Sequence, residues 1–90
     1  MKTADHILED LAGILSNFQG REYSGTIDRD TKFIGDLGFS SIDVVILGET
    51  LETYYAKKLR FGAFLSELAK NNVQDVKIGD LADFLHQQIQ

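Results

Sequence analysis

Asp36-Leu37-Gly38-Phe39-Ser40-Ser41-Ile42-Asp43 is where an aperiodic stretch gives way to a helix. Ser40 with Asp43 three residues later has the spacing of a capping box, in which each residue satisfies a backbone group of the other. Ser41 then opens the helix, and Gly38 allows a tight turn just before it. A hydroxyl at the first helical position lies beside unpaired N–H groups and the positive end of the helix dipole, a setting that favours an attached anion. Serines are also preferred at helix starts for capping alone, so the pair by itself has a plain structural explanation.

Outward from this junction the chain reads as helices. Towards the N-terminus, Ile7, Leu8, Leu11, Ile14, Leu15 and Phe18 recur at helical spacing, predicting a helix over residues 3–19 with Thr3 as N-cap and Gly20 as the stop. Periodicity is lost between Gly20 and Ser40, which reads as a long loop pinned by Ile27, Phe33, Ile34 and Leu37, with a short helical turn near 31–34. The helix opened by Ser41 is expected to reach Ala56, with Ile42, Val45, Leu51 and Tyr55 on its buried side and Val44 and Ile46 outward. Lys57 and Lys58 suit its C-terminal end. A third helix is predicted from Phe61 or Gly62 to Lys70, with Asn71 and Asn72 as left-handed caps, and a last one over 77–88. No stretch alternates long enough to predict a strand. The expected fold is all-α, a four-helix bundle with a long loop between the first two helices, in one domain spanning 1–90.

Composition bounds the function. Ninety residues bury about 60–65% of their unfolded surface, enough for one core and little room for a deep cavity. The absence of cysteine removes disulfides, thiolate nucleophiles and thiolate-ligated metals. A net charge of −5 works against phosphate backbones, so no nucleic-acid partner is expected, and it favours basic protein surfaces. The longest apolar run, Val44–Leu47, is too short for a membrane span, and the first residues lack the apolar stretch of a leader. A cytoplasmic monomer is expected.

Several chemistries fail on spacing. The 35–41 stretch lacks the lysine and glycines of a phosphate loop. Ser40 and Ser41 lack the flanking glycines of a nucleophile elbow. Phe33 and Phe39 stand where a calcium loop beginning at Asp28 needs glycine and glutamate. The two histidines, His6 and His86, lie near opposite ends of the chain, and a serine hydrolase would need one of them brought beside the serine by the helix packing. Asp36 and Asp43 are read as helix-start carboxylates rather than an acid–base pair.

What remains resembles the attachment motif of the acyl carrier family, whose usual form is Asp-Leu-Gly-x-Asp-Ser-Leu-Asp. The order of helix, long loop, Ser41 helix and the closing Ile78-Gly79-Asp80-Leu81-Ala82-Asp83-Phe84-Leu85 is similar along the whole chain. The resemblance implies no enzyme activity of its own. It implies a 4'-phosphopantetheine arm on Ser41, placed by a phosphopantetheinyl transferase and loaded and emptied by acyl-loading, condensing and acyl-transfer enzymes. Those partners would meet Asp36, Leu37, Gly38, Ser40, Ile42, Asp43, Val44 and Glu49. Three departures stand out: Ser40 replaces the family's aspartate, Ile42 replaces leucine, and the stretch from Leu59 to Val76 is longer than in a fatty-acid carrier. They imply a specialised carrier of polyketide, nonribosomal-peptide or modified-lipid assembly. The alternatives are an unmodified helical adaptor and a small hydrolase using Ser40 or Ser41.

Overall fold

The computed structural model describes residues 3–71 and 75–89, with the backbone but not the side chain of Ser41. Four helices and a two-stranded hairpin are formed: α1 (Ala4–Leu15), β1 (Asn17–Phe18), β2 (Arg21–Glu22), α2 (Ser41–Tyr55), α3 (Phe61–Lys70) and α4 (Ile78–Gln88). Thr3 caps α1 as its spacing predicts, its hydroxyl accepting from His6 N at 3.1 Å. Ile7, Leu11 and Leu15 form a fully buried stripe on α1, which packs against α4.

The first helix is shorter than its apolar pattern predicts. Ser16 Oγ donates to Gly13 O at 2.8 Å, and the chain then turns back as an antiparallel hairpin pairing Asn17 with Glu22 and Phe18 with Arg21. Gln19 (φ 57°) and Gly20 (φ 74°) make the turn, both with the positive φ that a tight two-residue hairpin requires. Phe18 therefore belongs to a strand and still reaches the core. The expectation of an all-α chain is corrected to a mostly helical one with this small sheet.

Three elements of the long 23–40 connection tie back to the entrance of α4. Phe33 N donates to Val76 O at 2.8 Å, Ile78 N to Thr31 O at 2.9 Å and Gly79 N to Arg29 O at 3.0 Å, around an antiparallel bridge between Lys32 and Lys77. The loop can lie this close because Gly79 has no side chain. A Cβ there would stand 2.7–3.0 Å from Arg29 Cβ, O and Cα, two of which are backbone atoms.

On α2 the buried stripe is Val44, Leu47 and Leu51, with Tyr55 half-buried beyond it; Ile42 (71% exposed) and Val45 (48% exposed) face outward. The expected buried side is right at Leu51 and Tyr55 but not at Ile42 and Val45, whose place Val44 and Leu47 take, and the correction has a physical reason. The stripe through Ile42 and Val45 runs on to Glu49 and Glu52, whereas the one through Val44 stays apolar for the helix's length. Tyr55 joins α2 to α1, its hydroxyl donating to Asp10 Oδ2 at 3.1 Å. Burial and the Asp10 carboxylate both push that phenol well above its ordinary range. The helix ends on Ala56 in the left-handed conformation (φ 53°). Lys57 and Lys58 thus lie just past the cap. At the end of α3, Asn71 is not left-handed (φ −95°), and Asn72 lies outside the described residues.

Helix α3 approaches α2 at Gly48, where a Cβ would stand 2.7 Å from the Phe61 ring. Phe61, Phe64 and Phe84 cluster there, with ring centroids 4.5–5.8 Å apart, and link α3 to α4.

Candidate functional site

The segment before α2 is built from both sides. Residues 33–37 form a tight turn in which Asp36 N and Leu37 N donate to Lys32 O and Gly38 N donates to Ile34 O. The N–H groups that open this turn are taken by a distant carboxylate: Ile34 N donates to Asp75 Oδ1 at 2.9 Å and Gly35 N to Asp75 Oδ2 at 2.8 Å. Asp36 closes the turn locally, accepting from Lys32 N at 2.8 Å. From there Phe39 enters the core beside Phe33, the rings stacked with centroids 4.8 Å apart, and Phe18 meets Phe39 edge-on at 5.4 Å.

Burial raises the Asp75 carboxyl's pKa, but the Ile34, Gly35 and Val76 N–H groups and the charge of Lys32 outweigh it, holding it below the ordinary 3.8. A depressed carboxyl stabilises the fold fully above its unfolded value and ceases to do so as pH falls through the lower folded value. Asp75→Asn is therefore expected to be about 1–2 kcal/mol less stable than wild type at pH 7. The gap should close as pH drops well below 3.8 in urea unfolding series run across acid pH. A pH-independent gap would show that the lost contact, not the charge, carries the effect.

At the start of α2, Ser40 and Asp43 form the capping box that their spacing predicts. Asp43 Oδ2 accepts from Ser40 N at 2.9 Å and from Ser40 Oγ at 3.1 Å. Ser41 is the first residue of α2, between the exposed Ser40 and Ile42. Its hydroxyl lies outside the described residues. No family model matches the chain, and neither does any curated protein or solved structure. The site is thus read on its own geometry.

The residues expected to meet partners divide into two groups. Asp36, Gly38, Ser40, Ile42 and Glu49 are exposed and Asp43 is half-exposed. Leu37 (6% exposed) and Val44 (3% exposed) are core residues and offer no side chain to a partner; Val45 takes the outward place expected of Val44. The half-buried Ile46 packs against the core.

Catalytic readings gain nothing. The Ser40 hydroxyl is directed to the Asp43 carboxylate and serves the helix cap. Asp28, the former calcium-loop candidate, accepts from Asp30 N at 2.9 Å and Thr31 Oγ1 at 3.2 Å in a local turn. Among the described residues no cluster of three metal-ligating side chains exists, and no helix is long and apolar enough to cross a membrane.

An apolar groove of about 350 Å³ opens beside the junction, between α2 and α3. Val45, Gly48, Leu59, Phe61 and Leu65 line it, together with Glu49 and Glu52. Val45 lies one turn along α2 from Ser41. Sequence reading missed the groove, the hairpin and Asp75. Gln19-Gly20 was the available signal for the hairpin. Nothing near Asp75 in the chain points to a turn 40 residues away.

Proposed function

We propose that this protein is an acyl carrier that holds acyl groups as thioesters on a phosphopantetheine arm attached to the Ser41 oxygen. The observation that carries the reading is the position of Ser41: first residue of a capped helix, between exposed neighbours, after a braced loop. That position suits the group. A phosphodiester there lies by the positive end of α2, and a transferase has open access from the Ser40 and Ile42 side. When attached, the arm supplies the thiol that a cysteine-free chain lacks.

The finer architecture belongs to the same reading: the four helices are those of a carrier bundle, and the groove from Val45 to Leu65 gives an attached chain partial shelter. Partner enzymes meet the outward stripe of α2, Ile42, Val45 and Glu49, together with the loop at Asp36 and Gly38. An apolar pair so close to the attachment point favours partners with an apolar socket over purely basic ones, in line with a specialised carrier. That exposed apolar pair also supports the second reading, an unmodified adaptor working through the same face.

Intact mass spectrometry tests the proposal. The full chain, incubated with coenzyme A, magnesium and a broad-specificity phosphopantetheinyl transferase, is expected to gain the mass of one phosphopantetheinyl group. A folded sample, not already modified, that gains nothing from several such transferases would leave the adaptor as the better reading.

A further inference from the structure

The hairpin that interrupts the first connection has no role in the function proposed so far, yet both residues of its inner pair grip the loop before Ser41. Phe18 and Arg21 are opposite each other in the hairpin register. Phe18 packs edge-on against Phe39 from within the core. Arg21 does the same from outside: its Nη1 donates to Gly38 O at 2.6 Å, and its guanidinium lies 5.2 Å from the centre of the Phe39 ring. Phe39 is thereby held by Phe33, Phe18 and Arg21 together, two residues before Ser41.

Gly38 shows how closely the clamp fits. Its φ of +77° already favours glycine, and a Cβ there would stand 2.9 Å from Arg21 Nη2. The positive φ is what calls for glycine here, and the guanidinium lies close against it. We propose that Arg21 is a positioning residue for the transfer to Ser41. It fixes the Gly38–Ser40 backbone so that the start of α2 is presented in one arrangement to the transferase. This role rests on the carrier reading; the clamp itself does not.

Arg21 is exposed, and once removed the Gly38 carbonyl can be hydrated, so global stability should change little. The local effect is larger, because the charged donor and the ring contact act on two adjacent residues of one loop, Gly38 and Phe39. In full-length Arg21→Ala, hydrogen exchange at the Phe39 and Ser40 amides is expected to quicken about tenfold, with the exchange of helix amides unchanged. In the transferase assay the carrier KM should rise about fivefold with kcat nearly constant, and Arg21→Lys, which restores one donor, should fall between. Arg21→Ala protein with wild-type exchange at these amides, or with wild-type KM, overturns the positioning role. Wild-type protein that is never modified sinks the carrier reading, whereas modified wild type with an indifferent Arg21→Ala sinks only the role of Arg21.

Discussion

Ser41→Ala protein is expected to fold as wild type does and to gain no phosphopantetheinyl group, while Ser40→Ala protein gains one. The comparison is needed because the chain puts two hydroxyls side by side where the acyl carrier family has one. They are not equivalent in the structure. Ser40 lies outside the helix, and its hydroxyl and N–H both meet Asp43 Oδ2. Losing that hydroxyl weakens a cap, at about 1 kcal/mol, and leaves the Ser40 N–H to Asp43 bond in place. Ser41 is inside α2 at its first position, where alanine is a good helix former and the capping box is untouched. Both variants should therefore show cooperative unfolding within about 1–2 kcal/mol of wild type, which makes the mass readout interpretable. Modification that persists in Ser41→Ala and disappears in Ser40→Ala would move the attachment to the neighbouring residue.

Much of this architecture was legible in the chain, and the parts that were not share a cause. Helix starts and stops with local chemistry were read correctly: Thr3 and Ser40 at the caps, α2 ending at Ala56, α3 over 61–70. The first turns of α2 alone depart from expectation, because Ile42, Val44, Val45, Ile46 and Leu47 offer apolar residues to every side there. Only the later residues separate the two stripes, Leu51 and Tyr55 continuing one and Glu49 and Glu52 the other. Phe18 was assigned to α1 because its spacing fits, although the chain had already turned at Ser16 and Asn17. The braces on the loop before Ser41 were illegible for a different reason. Arg21 to Gly38 and Asp75 to Ile34 are pairings of a charged side chain with backbone groups 17 and 41 residues distant, and such pairings carry no periodicity. The junction's residues were therefore visible in sequence, but what holds them still was not.

That bracing predicts a single substitution that undoes both fold and site. Phe33 is 1% exposed, stacks on Phe39, and its N–H donates to Val76 O, so it joins the loop before Ser41, the core and the entrance of α4. Phe33→Ala removes a buried ring and leaves a cavity that the loop can only partly close, at an expected loss of about 3–5 kcal/mol. A chain of this length has roughly 5–13 kcal/mol in total, so the variant would be marginal. Phe33→Leu keeps most of the volume and should lose about 1–2 kcal/mol, mainly the stacking on Phe39 and some fit. Urea unfolding of the three proteins checks the order. The same samples separate packing from presentation. In Phe33→Leu, still well folded, the Phe39 and Ser40 amides should exchange faster than in wild type while those of α1 and α4 do not. An equal loss across all amides would mean that the loop has no local stability of its own, and that its braces are simply part of the global fold.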